Sequence, residues 1–175
     1  AMVETPYIIT QVVLFVCIMY PMVGYISDAG KFFWYVMMTF QSVSFYTALG
    51  VGLIYLTPSQ QLGQVAAAGL NFLWNIFNGF VITYPAMALG FKWINRISPT
   101  TWLLYGLISD QLGDSQVVFD YPSDRSITTV AQFMEVYFGY KYSIHWFTPL
   151  MVLAYILALR VGGVFALRYT SFLKR

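Results

Sequence analysis

Apolar positions along this chain run together instead of alternating with polar ones. From Phe32 to Phe91 sixty residues pass without a charged side chain, interrupted only by a TPSQQ turn at 57–61. The run is too long for one buried helix and too apolar for a water-facing surface. Two helices of about 20 residues each match what a hydrocarbon layer about 30 Å thick requires. The same pattern predicts four transmembrane spans, at 6–25, 32–56, 62–84 and 146–169. An even number of spans puts both ends on one side of the membrane. Pro6 opens the first span at a position where its missing N–H costs nothing. Pro21 lies near that span's far end, where neighbouring groups can satisfy a freed carbonyl.

Between the third and fourth spans the pattern breaks up. Residues 85–113 are too apolar for a simple loop, yet Lys92, Arg96, Pro99 and Asp110 interrupt them. The pieces FKWINRI and TWLLYGLI are short of a full crossing. They read as interfacial or re-entrant helices, with Trp93, Trp102 and Tyr105 anchored at headgroup level. Residues 114–145, with Asp120, Asp124, Arg125, Glu135 and Lys141, read as a small ordered loop outside the membrane. The fold class is therefore an all-α membrane protein: four transmembrane helices, short re-entrant helices and one external loop.

Composition narrows the function classes. Charged residues make up 9% of the chain, against about 25% in an ordinary soluble domain. A net charge of +2 leaves no footprint for nucleic acid. Cys17 is the single cysteine, so no intrachain disulfide forms, and no Asn begins an N-x-S/T sequon. The opening residues AMVETP carry no basic region and no cleavage site, and read as an entry partway along a longer protein. Arg168, Lys174 and Arg175 at the far end favour cytoplasmic termini by the positive-inside rule.

Candidate chemistry concentrates in the third span. Gln64, Asn71, Asn75 and Asn78 recur at helical spacing, with Ala68 on the same face. Amides do not face lipid, where an unsatisfied polar group is costly. Two readings stand: hydrogen-bonding glue between helices, worth about 0.6 kcal/mol per bond, or one wall of a substrate path. In the second span Gln41, Ser42, Ser44 and Thr47 precede Gly50 and Gly52, a pattern that favours close helix packing. Thr10 and Gln11 leave the same choice open in the first. Arg160 is the one charge inside an apolar span. It lies about 12 Å of helix from Arg168, which favours snorkelling toward the cytoplasmic headgroups over an ion relay. Soluble-enzyme chemistry finds no support: His145 is the single histidine, and GxxxxGK[ST] is absent. Asp110, Asp114, Asp120 and Asp124 are spread out, and read as members of a solvated loop.

One segment resembles a known signature. SPTTWLLYGLISDQLGD at 98–114 is similar to the P-x-x-W-x-x-Y-G-L-I-x-x-Q-x-G-D motif of pleiotropic drug resistance transporters, in the G family of ABC exporters. ETPY at 4–7, the TPSQQ turn, FNGF at 77–80 and FGY at 138–140 agree in order and spacing. The resemblance covers essentially the whole chain.

It implies the third to sixth helices of a membrane domain, with the nucleotide-binding domain, its ATP and Mg, and a second membrane half lying elsewhere. It also implies cytoplasmic ends, re-entrant helices on the outer side, 114–145 as the last extracellular loop, and the plasma membrane as location. In that family the fifth helix lines a central cavity closed outward by a hydrophobic plug. By match to FNGF, the cavity positions are Ala68 and Phe72 with Asn71, Asn75 and Asn78 beside them, and the plug is Phe80 and Val81. Asn71 and Asn75 stand where some members carry bulkier apolar residues.

The leading reading is thus the membrane part of an ATP-driven exporter of lipophilic or amphipathic compounds. A self-contained four-helix scaffold or channel subunit is the alternative. A lipid-modifying membrane enzyme ranks third, because no clustered histidine or carboxylate site supports it.

Overall fold

The structure, a computed structural model, describes residues 4–118 and 129–169. Asp120, Asp124 and Arg125 of the expected loop, and Lys174 and Arg175 of the basic tail, lie outside the described residues. Among the described residues there are seven α-helices: α1 (Glu4–Val23), α2 (Ala29–Leu56), α3 (Gln60–Ile76), α4 (Lys92–Ile97), α5 (Pro99–Leu112), α6 (Val130–Phe133) and α7 (Thr148–Tyr169). Three segments are long and apolar enough to cross a membrane, namely Glu4–Val23, Ala29–Leu56 and Tyr142–Arg168. The chain is an all-α membrane protein.

Local chemistry sets the boundaries. After Pro21, Gly24 takes φ +74 and ends α1; its N–H donates to the Pro21 carbonyl. A left-handed residue here is cheap only for glycine. The Asp28 carboxylate then caps α2 by accepting from the Lys31 N–H. At the other end Thr57 turns back on the Leu53 carbonyl, and Ser59 caps α3 through the Leu62 N–H. Gly63 makes this α2–α3 hairpin tight, because a Cβ there would lie 3.2 Å from the Ile54 Cα.

The third span is where expectation and structure part. The hydropathy run continues to Tyr84, but α3 stops at Ile76 after 17 residues, about 26 Å of helix. The cause is the Asn78–Gly79 pair. Asn78 Oδ1 accepts from the Phe80 N–H and Gly79 adopts φ +92, a side-chain turn that competes with helix. Tyr140 Oη and Asn95 Nδ2 then donate to the Asn78 and Phe77 carbonyls. Apolarity carries no trace of such a break.

The helix α2 is the hub. On one side Ile8, Val12, Val16 and Tyr20, four residues apart or nearly so, form the buried stripe of α1 and meet Phe32, Tyr35, Val36 and Phe40. On the other, Met38, Phe45 and Leu49 close against Leu103 of α5 and Val152 of α7. In lipid, burying an apolar side chain gains little over leaving it among acyl chains, so close approach and dispersion must hold the helices together. Gly106 supplies the close approach: a Cβ there would sit 2.2 Å from Met38 Cε and 2.6 Å from Thr148 Oγ1. Trp34 Nε1 also donates to the Gly106 carbonyl at 3.0 Å.

Candidate functional site

Unlike α2, the helix α3 buries only Gly63. Gln64, Ala68, Phe72 and Asn75 are exposed and Asn71 is half-buried, so four of the amide and apolar positions share one face that the other described residues leave bare. Phe72 is 67% exposed. The face is made by helical spacing alone, since residues three and four apart stack above one another.

The two asparagines bond along the helix and not across it. Asn75 Nδ2 donates to the Asn71 carbonyl at 2.8 Å and to Asn71 Oδ1 at 2.6 Å. These bonds leave Asn75 Oδ1 and the Asn71 amide hydrogens without a partner in the described residues. They are the polar handles of an otherwise apolar stripe.

Asn78 stands apart from this group. It lies beyond the last helical residue and is 8% exposed, and its side chain builds the turn described above. Phe80 and Val81 follow that turn and are 59% and 69% exposed. Phe80 stacks on Phe138 with ring centroids 6.1 Å apart. The structure thus brings Gln64, Ala68, Asn71, Phe72 and Asn75 together, places Phe80 and Val81 just past their end, and assigns Asn78 to the junction.

Arg160 pairs with an acid instead of reaching for headgroups. Its Nη1 and Nη2 both lie 3.4 Å from Glu4 Oε2 at the start of α1. A charge inside an apolar span commonly finds such a partner, and the first residue of α1 supplies it.

Of the two described acids at 110 and 114, Asp114 is exposed as expected of a solvated loop, and Asp110 is not. Asp110 lies in the last turn of α5 and is 6% exposed, and burial pushes its carboxyl above the usual carboxylate range. The Gln111 amide, donating at 2.9 Å, and the Lys31 charge oppose that rise. Lys31 itself binds Asp114 Oδ1 at 2.6 Å. Tyr105, expected at headgroup level, is buried against Met134 and Tyr140.

Sequence reading passed over one further concavity. Tyr84, Trp102, Tyr105, Phe138 and Tyr140 wall a recess of about 290 Å³ beside Arg96. Its only linear trace is the density of aromatic residues at 102–105 and 138–147. No group of three or more His, Cys, Asp or Glu able to hold a metal occurs among the described residues.

Residues 1–112 match the family model described as ABC-2 type transporter, and the chain belongs to that family. Its relatives are plant pleiotropic drug resistance and G-family ABC transporters. The chain is 35% identical over 173 residues to pleiotropic drug resistance protein 1 of Nicotiana tabacum, covering 99% of this chain and 12% of that protein. It is 38% identical over 141 residues to ABC transporter G family member 45 of Oryza sativa subsp. japonica, covering 78% and 10%. ABC transporter G family member 38 of Arabidopsis thaliana is 31% identical over 173 residues, covering 99% and 12%. The chain thus spans about an eighth of the length of these relatives.

Proposed function

We propose that this chain is the third-to-sixth-helix portion of the membrane domain of an ATP-driven exporter, and that α3 forms one wall of its substrate path. The supporting observation is the bare face of α3, where Phe72 and Asn75 project from a helix otherwise docked on α2 and α5. A matching face on a second membrane half completes the cavity. Its occupant is lipophilic or amphipathic: burial against Phe72 and Ala68 yields about 25 cal/mol per Å² relative to water, and the free amide groups of Asn71 and Asn75 orient it. Phe80 and Val81 close the path outward, and both ends of the chain face the cytoplasm of a plasma membrane. ATP and Mg belong to the nucleotide-binding domain, and coupling requires substrate affinity to differ between inward- and outward-facing states.

The test is ATP-dependent uptake of a lipophilic dye into inside-out vesicles carrying the full-length protein, with Phe72→Ala and Asn75→Leu beside it. Uptake that requires hydrolysable ATP and changes in both variants is the expected result. Uptake unchanged by either variant returns the asparagine face to helix packing. Absence of ATP-driven uptake across several dyes, in folded protein, favours the scaffold or channel reading.

A further inference from the structure

The aromatic recess is lined by no residue of α3 and has an electrostatic character of its own. Lys92 and Arg96 are one turn apart on α4, and both sit over the Tyr84 ring, at 5.2 and 5.8 Å from its centroid. Arg96 Nη2 also donates to Tyr84 Oη at 3.2 Å. Neither cation has a carboxylate within ion-pair distance among the described residues, whereas Lys31, Lys141 and Arg160 each have one. Two cations left to an aromatic face are poised for an anion, because a charge-assisted bond to an acidic group is stronger than either ring contact.

The walls are held before anything binds. Trp102 Nε1 donates to the Arg96 carbonyl at 2.9 Å. The Tyr105 hydroxyl is clamped by the Lys141 backbone, donating to its carbonyl and accepting from its N–H. Tyr140 Oη donates to the Asn78 carbonyl. Burial raises the phenol pKa of both tyrosines above its ordinary value, so neither adds a negative charge near neutral pH. Such preorganisation removes ordering cost from binding. A volume of about 290 Å³ is at the small end of ligand sites, which run from about 300 to 1,000 Å³. It suits a compact flat ring system better than an extended acyl chain.

We propose that this recess binds an amphipathic anion, its flat apolar body against Trp102, Phe138 and Tyr140 and its acidic head at Arg96 on the lining, with Lys92 adding positive charge from one turn away on α4. Two sources offer that chemistry: an anionic bilayer lipid, or a free amphipathic carboxylate. The site does not depend on the export reading, because binding here requires neither ATP nor the α3 face.

The experiment uses the full-length protein in phosphatidylcholine nanodiscs, with empty discs subtracted. The probes are 1-pyrenebutyrate and its uncharged analogue 1-pyrenebutanol, followed by saturable quenching of tryptophan emission. Wild type should bind the acid about tenfold more tightly than the alcohol, the loss expected for one charge-assisted bond. Arg96→Gln should erase that preference and Lys92→Gln should reduce it, and Ile144→Trp, at a residue that also lines the recess, should fill it and abolish saturable binding of both. Discs doped with phosphatidylglycerol separate the sources: displacement of the probe identifies a lipid, and unchanged affinity identifies a free amphiphile. Equal binding of acid and alcohol, insensitivity to the charge variants or to Ile144→Trp, or no saturable binding of the acid, each overturns the proposal.

Discussion

Helices α2 and α3 are joined by a three-residue turn and are built from similar apolar residues, yet the chain treats them in opposite ways. In α2, Met38, Phe45, Ala48, Leu49 and Gly52 are buried, with α1 and α3 on its flanks and α5 and α7 behind. In α3 only Gly63 is buried, at the hairpin, and the outward face carries Phe72 and an asparagine pair. Apolar content does not tell a buried hub helix from one with a bare face. Interlocking side chains mark the first, and in the second Phe72 and Asn75 stay exposed.

The largest expected effect comes from breaking the packed side. Gly106→Val drives a branched side chain into Met38 and Thr148, and overpacking of that kind costs about 1–3 kcal/mol. A lowered thermal midpoint in detergent, or loss of monodisperse protein, is the expected readout; an unchanged midpoint would mean that α5 does not approach α2 as closely as described. Lys31→Ala should cost less, about 1 kcal/mol or below, because Lys31 is 14% exposed but Asp114 remains 40% exposed. A double-mutant cycle with Asp114→Ala isolates the pair, and additive losses would show that it carries no coupling.

Asp110→Asn sharpens the comparison through pH. The folded protein holds this carboxyl above its ordinary pKa by burial, so the ionised form is the one that folding disfavours. Stability from this group is therefore greatest at low pH and declines as pH rises through the raised folded value. The variant cannot ionise and should flatten that decline, with a higher midpoint near neutral pH and little change in acid. Thermal midpoints across pH 4–8, as a range of measurement, check it; identical profiles would reject the assignment. The smallest stability effect belongs to α3. Phe72→Ala removes a side chain that is 67% exposed and should shift stability by no more than about 0.5 kcal/mol while altering transport. A large destabilisation would mean that the face is a packing surface.

Much of this architecture was legible along the chain because a bilayer imposes a coarse rule. A hydrocarbon layer demands long uncharged helices, and the runs that became α1, α2 and α7 met it without help from tertiary contacts. The amide stripe was legible for the same reason, since Gln64, Asn71 and Asn75 lie at helical spacing whatever surrounds them. The end of α3 escaped hydropathy: the Asn78–Gly79 pair is a local turn signal that stops the helix through a side-chain turn, and Tyr140 and Asn95 secure it from 62 and 18 residues away in sequence. Arg160 read as a snorkelling residue because its partner, Glu4, is at the opposite end of the chain. The burial of Asp110 and Tyr105 was hidden likewise, because α5 sinks between α2, α7 and the segment before α7 only after all have assembled.

The amino-acid sequence by itself determined that this protein lives in a membrane, where the long apolar helices α1, α2 and α7 run, and which helix carries unusual polar groups, because hydropathy and helical period are local properties. Tertiary structure alone decided which charges pair, which aromatic residues close into a recess beside Arg96, and which helix face stays uncovered. Those outcomes depend on contacts between residues far apart in the chain, and no local pattern records them.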